Sequence, residues 1–369
     1  MLGIENCCSK FKKHAQSTLV AEQEAFSSFE RAKTNIDLAA QAETQKLDAP
    51  QKSEQDQDAS QRKLLEVPLN QHVSIFVGRL KHFYEVWKEL TSDKIILTWV
   101  KGFKIPFKAI PVQLYSKTEA MFSLKEKEII SSKIVDLVAK DVVIECEPVE
   151  GQFLSPIFTI PKSDNTLRLI FNLKRLNDFI ELVHFKMENH ETVISLLQKD
   201  YFMTSRDIKD AFCTVSVHDD HKKFLQFRFE NRLCEFSCLV FGLNVAPYVF
   251  TKLLRPVVAY LRFLGIRLVI CIDDILIIAE SVEVCSAHYS VTANLLRSLG
   301  FLLNNKGIKI PTKRCVYLGF MFDSVDMKME LPPDRRHNIL KLIKRFINKS
   351  SDSLRKFTQF IAIHRALDR

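Results

Sequence analysis

The chain has 369 residues, 47% of them apolar and 26% charged, with a formal net charge of +9. That apolar content supports two or three subdomains with cores of their own, and no apolar run reaches the roughly 18 residues that a membrane span needs. The nine cysteines form no CxxC pair and no regular spacing, and no secretory leader precedes them. This speaks against a disulfide framework or a zinc site and for a reducing intracellular setting, cytoplasm or nucleus.

Residues 1–38 read as weakly helical with a thin apolar face, and residues 40–63 (AQAETQKLDAPQKSEQDQDASQRK) read as a disordered linker. The linker has no aromatic residue and almost no large aliphatic one, so it buries too little surface to offset ordering entropy. Adjacent Cys7 and Cys8 read as free thiols. Folded character resumes near Leu64. A leader over 64–122 is expected to pack on the domain C-terminal to it; its aromatic-rich part, 74–107, ends in a strand-like run before Pro106. SLKEKEIISSKIVDLVAKD (123–141) is an amphipathic helix with Ile129, Ile130, Ile134, Leu137 and Val138 on one face. Residues 153–177 read as two strands around a polar turn at Lys162–Thr166, the second carrying Arg168.

A helix is expected near 190–199, then a strand in FMTSRDIKDAF. A hairpin comes after it, made of 223–229 and 233–239 joined through Glu230, Asn231 and Arg232. Next come a helix over 246–263, a second hairpin around Asp273 and Asp274, a helix over 284–299, a strand over 316–322 and a basic helix over 334–348. Strands and helices mixed in this order predict an α+β fold around antiparallel sheet. The charge is uneven: residues 1–70 hold 9 basic and 11 acidic side chains, whereas 331–369 hold 10 basic and 3 acidic. A basic excess of this kind suits a polyanionic partner such as nucleic acid.

The most informative stretch is IRLVICIDDILIIAE (266–280), where two adjacent acids interrupt an apolar run at the turn between two strands. At about 4 Å and an effective dielectric near 20, two carboxylates repel by roughly 4 kcal/mol. A solvated turn, a basic partner or a divalent cation can offset that cost. Asp207, at the end of another apolar-edged strand, reads alone as a cap or turn residue. Beside Asp273 it meets a known requirement. Two-metal phosphoryl transfer needs carboxylates from separate elements to converge on ions roughly 3.5–4 Å apart, and Mg²⁺ needs only one or two of them plus substrate phosphate.

The ordered series DIKDAF (207–212), FGLNVAP (241–247), CIDD (271–274), SLGFLLNNK (298–306) and YLGF (317–320) resembles motifs A to E of reverse transcriptases. GRLKHFYEVWKELTSD (78–93), KIPF (104–107), FKME (185–188), FTKLL (250–254) and LRKFTQF (354–360) are similar in phrasing to the enzymes of DIRS-type tyrosine-recombinase retroelements. The resemblance implies a right-hand polymerase: fingers and palm over 123–325 and a partial thumb over 326–369. It also implies RNA-directed DNA synthesis with two Mg²⁺ ions (Mn²⁺ as a substitute), dNTPs, and an RNA or DNA template-primer duplex, with no membrane partner.

Residue by residue, Asp207 and Asp273 match the metal-binding acids, Asp274 the second acid of the pair, a weaker metal ligand or a field-setting charge, and the Ile208 carbonyl a further metal ligand. Phe212 matches the aromatic gate that collides with a ribose 2′-hydroxyl. Lys162 and Arg168 match the fingers residues that hold the triphosphate, and Phe241 and Gly242 the nucleotide-side entrance of motif B. Lys306, or nearby Lys309, matches the general acid for pyrophosphate. Tyr317, Leu318 and Gly319 match the primer grip. In the last helix Ile339, Ile343 and Phe346 are expected to turn inward, with Arg335, Lys341, Lys344 and Arg345 outward along a duplex backbone.

Two departures bear on activity. Cys271 stands where the family has a tyrosine that touches the primer terminus, and the chain as given has no room for ribonuclease H or recombinase domains. The alternative expectation is therefore a weakened or inactive nucleic-acid-binding remnant. A third, a two-metal nuclease using the same acids, has no specific support.

Overall fold

The computed structural model describes residues 76–113, 122–161, 167–305 and 307–348; these lie within one compact unit, Gln61–Arg369. The expectations for 1–63 and for LRKFTQF fall outside the described residues.

The leader opens with a 3₁₀ turn at Arg79–Phe83, followed by helices α1 (Tyr84–Leu90) and α2 (Lys94–Lys101). Helix fills Lys94–Lys101, and the strand-like stretch expected before Pro106 is confined to the residues after it, where Phe103 bridges Val217. Asp93 starts α2, accepting from the N–H groups of Ile95 and Ile96, and Ile96 and Val100 bury one stripe. The leader is fastened to the rest of the chain: Trp87 is fully buried, its Nε1 donates to the Leu299 carbonyl at 3.0 Å, and Phe103 exchanges backbone bonds with Ser216 and His218.

Helix α3 (Leu124–Val138) begins with a capping box between Ser123 and Glu126 and buries Ile130 and Ile134. Val138, expected inward, is exposed, because the helix stops there and turns toward β1 (Val143–Glu145). Strands β2 (Ile157–Pro161) and β3 (Leu167–Phe171) pair antiparallel, as expected. Helix α4 (His190–Leu196) precedes β4 (Phe202–Asp207). β5 (Gln226–Phe229) and β6 (Arg232–Phe236) form a tighter hairpin than expected: Arg232 is a strand residue, and Glu230 and Asn231 alone make the turn, both at positive φ. β1 extends this pair into the sheet β1-β6-β5.

Helix α5 (Ala246–Phe263), β7 (Arg267–Cys271), β8 (Asp274–Ala279) and helix α6 (Val282–Ser298) come next. β4, β8 and β7 form an antiparallel sheet in that order. Both faces of this sheet are covered, which explains why β7 and β8 are apolar at almost every position. Leu268, Ile270, Ile275 and Ile277 join the large core that includes α5 and the C-terminal end of α6. Val269, Leu276, Ile278 and Met203 join a second core with Val193 of α4, Cys315, Tyr317 and Phe322.

The single strand expected over 316–322 is two, β9 (Arg314–Tyr317) and β10 (Phe320–Asp323), because Leu318 and Gly319 both take positive φ and fold it into a hairpin. β11 (Lys328–Glu330) completes that sheet, and helix α7 (Pro333–Asn348) ends the described chain. In α7, Ile339 is half-buried while Arg335 and Lys341 are exposed, as expected; the side chains of Ile343, Lys344, Arg345 and Phe346 lie outside the described residues. No helix among the described residues is long and apolar enough to cross a membrane.

Candidate active site

The β4–β8–β7 sheet brings the acids together. Asp207 ends β4 and Asp274 starts β8, and they are direct register partners across the antiparallel pair. Asp273 sits in the two-residue turn with Ile272, and its carbonyl accepts from the Ile208 N–H at 2.8 Å. Ile272 holds φ 57°, a left-handed conformation for a β-branched residue. Such a residue costs on the order of 1–3 kcal/mol and persists where its surroundings impose it. Here the β7–β8 register and the bond from Ile208 impose it.

Asp207 is held from the other side by Asn304, whose backbone N–H donates to the Asp207 carbonyl at 2.9 Å and whose Nδ2 donates to Oδ2 at 3.0 Å. Sequence reasoning misses Asn304; the only signal for it is its place in SLGFLLNNK. Burial, then the charges of Asp273 and Asp207, push the Asp274 carboxyl up to about 6, although its tip reaches solvent. Burial and Asp207 also raise Asp273. Among the described residues no basic side chain forms an ion pair with these acids.

Arg168, Asp210 and Phe241 line a cleft of about 420 Å³ with Lys133, Lys140 and Leu167. Phe241 is 71% exposed, and its ring packs on the 4%-exposed Phe212 at 4.7 Å between centroids, with Phe250 behind. Gly242 takes φ 98°, and a Cβ there would lie 3.2 Å from the Phe171 carbonyl, so the position needs glycine for its backbone as well as for close approach. Lys162 and Lys306 lie outside the described residues. Lys309 is exposed.

The primer-grip residues separate. Leu318 and Gly319 form the half-buried hairpin tip, with the Gly319 carbonyl accepting from Arg335 of α7 at 2.9 Å. Tyr317 is turned inward instead: it is 4% exposed, and the carbonyls of Val269 at 3.1 Å and Asp274 at 3.0 Å share the single proton of its hydroxyl. Its ring is a strut under the acidic hairpin, not part of an exposed tip. Cys271, opposite Asp274, is half-buried, and burial with the nearby acids keeps its thiol protonated by pushing its pKa up.

Residues 160–322 match the family model described as reverse transcriptase (RNA-dependent DNA polymerase). The chain is similar to polyprotein P3 of Commelina yellow mottle virus, 27% identical over 44% of this chain and 8% of that polyprotein. It is also similar to the Gag-Pol polyprotein of avian reticuloendotheliosis virus, 23% identical over 70% of this chain and 23% of that one. It thus spans a small part of these relatives. In fold it resembles the foamy viral protease-reverse transcriptase solved with double-stranded DNA, with TM-score 0.56 and 17% identity over 85% of this chain and 53% of that one. The same protein solved with an RNA/DNA hybrid aligns at TM-score 0.54 and 16% identity, over 86% of this chain and 40% of that one. The antiparallel sheets and their helices therefore share the fold of the palm and fingers of a right-hand polymerase, and residues 160–322 match a reverse transcriptase domain of the kind found in retroelement and retrovirus-like polyproteins.

Proposed function

We propose that this domain catalyses RNA-directed DNA synthesis, extending a primer 3′-hydroxyl with dNTPs on a template-primer duplex. The observation that carries the reading is the register pairing of Asp207 with Asp274, beside Asp273, with two of the three carboxyls raised. A cluster that resists full ionisation on its own suits a divalent cation, and hard carboxylate oxygens suit Mg²⁺ or Mn²⁺. Among the described residues no three His, Cys, Asp or Glu side chains form a ready metal cage. A Mg²⁺ site completed by substrate phosphate and water needs only one or two carboxylates from the protein.

Asp207, Asp273 and the Ile208 carbonyl would hold the metals, with Asp274 setting the field. When bound, the ions activate the attacking hydroxyl and neutralise the departing pyrophosphate. The chain's own residues supply the rest. Arg168 and Lys162 present donors to the triphosphate, Phe212 limits the space beside the sugar, Phe241 and Gly242 form the entrance, and Leu318 and Gly319 meet the primer. Lys306, or the exposed Lys309, gives its proton to pyrophosphate. The leader and FKME phrases support placement among DIRS-type retroelements, and a recombinase reading frame beside the gene is the check on it.

The test is Mg²⁺-dependent primer extension on an RNA template by purified protein. Incorporation by wild type that is lost in Asp207→Asn supports the reading. Salt-sensitive duplex binding without incorporation would leave the binding remnant instead, and degradation without added nucleotide the nuclease.

A further inference from the structure

Among the described residues β7 is the edge strand of the sheet that holds the acids, so one side of its backbone meets no strand there. In a two-residue hairpin closed by Cys271 and Asp274, the next pair, Ile270 and Ile275, is a non-hydrogen-bonded pair, and the N–H of Ile270 points outward. The C=O of Leu268, two residues back, points the same way. Both groups are met by side chains, one from a distant part of the chain and one from the helix that leads into β7. Glu188 Oε2 accepts from the Ile270 N–H at 2.9 Å, and Arg262 donates to the Leu268 carbonyl at 2.8 Å. The two side chains also hold each other, Arg262 to Glu188 Oε1 at 2.6 Å. The pair thus acts as a two-point artificial strand: acceptor opposite donor, donor opposite acceptor, locked by an ion pair.

The location gives this clamp its consequence. Ile270 is two residues before Ile272, whose left-handed backbone sets the turn, and three before Asp273. Glu188 directly precedes Asn189, which caps α4, and Arg262 lies in the last turn of α5, where a cation complements the helix dipole. Both anchors are therefore fixed by helix ends.

We propose that Glu188 and Arg262 are positioning residues for the catalytic turn, holding the edge of β7 in the register that points Asp273 at Asp207. The inference rests on the polymerase reading for its effect on turnover, but the clamp itself is measurable without it.

The experiment uses the full chain and compares Glu188→Ala, Glu188→Gln, Arg262→Lys and the charge-swapped double variant Glu188→Arg/Arg262→Glu, each checked for fold by circular dichroism. Amide exchange at Ile270 and Cys271 is read first. It is expected to speed up by about tenfold or more in Glu188→Ala, the loss of a charge-assisted bond. In primer extension at saturating nucleotide, kcat is expected to fall by roughly ten- to a hundredfold, the scale of misplaced catalytic geometry, with KM for nucleotide and affinity for template-primer within about twofold. The swap is decisive. It restores the ion pair but sets a donor against the Ile270 N–H and an acceptor against the Leu268 carbonyl, so exchange and kcat stay impaired. An ion pair that only staples the fold would be rescued by the swap, and that rescue overturns the proposal. So does unchanged exchange at Ile270 in Glu188→Ala or, if that variant does not fold, in the charge-swapped double variant. A wild type with no incorporation but a protected Ile270 amide, deprotected in Glu188→Ala, removes the polymerase reading and the effect on turnover while leaving the clamp in place.

Discussion

Asp207 and Asp274 face each other across two paired strands, so the antiparallel register itself holds two like charges side by side. A protein optimised only for stability has no use for that arrangement. Asp207→Asn is expected to lower nucleotide incorporation by about 10²–10³-fold or more, the scale of losing one preorganised electrostatic element. It should leave the thermal midpoint equal or higher, because it removes repulsion. Primer extension and a melting curve on the same preparation check both halves; a large fall in stability would show the acid to be structural.

The raised Asp274 carboxyl makes stability depend on pH in a defined direction. Its folded pKa, about 6, lies above its ordinary 3.8, so between these values the folded state binds the extra proton. The stability it contributes is fully present below about 3.8 and is lost as pH rises through about 6. The difference in melting midpoint between wild type and Asp274→Asn, tracked from pH 4 to 7 without metal, is expected to move against wild type as pH rises. Added Mg²⁺ at pH 7 should recover part of it by binding the folded state alone. A flat difference would mean that the pair is solvated and uncoupled.

Tyr317 gives a prediction free of any catalytic assumption. Tyr317→Phe removes the hydroxyl that bonds the Val269 and Asp274 carbonyls beneath the hairpin. The buried Val269 carbonyl and the part-buried Asp274 carbonyl then lose their shared donor, at a cost of about 1–2 kcal/mol. Urea unfolding with an unchanged m-value checks it, and no change in midpoint would show that water replaces the hydroxyl.

Phe212 tests the sugar gate. Phe212→Val is expected to raise incorporation of ribonucleotides relative to deoxynucleotides by about tenfold, and to cost on the order of 2 kcal/mol because the ring is buried between Phe241 and Phe250. Single-nucleotide incorporation with matched dNTP and rNTP measures the ratio. Lost stability with an unchanged ratio would make Phe212 a core residue only.

Local chemistry is legible in the residues alone. The capping box at Ser123, the periodic α5, the β7–β8 hairpin and its acids all arise from near-neighbour patterns, because caps, turns and amphipathic faces are set by residues a few positions apart. Near-neighbour patterns mislead where two states share one pattern. The aromatic-rich leader reads as ending in a strand, yet most of its last apolar run is helix capped by Asp93, and 316–322 reads as one strand until paired left-handed residues fold it.

What only the tertiary structure decided is which distant groups meet. Asn304 on Asp207, Tyr317 under Asp274, Glu188 on Ile270 and Glu188 with Arg262 join residues 43 to 97 positions apart. No local signal marks an Asn, a Tyr or a Glu as the partner of a particular backbone group. That choice is made when sheet and helices pack, since every buried donor and acceptor must then find a counterpart.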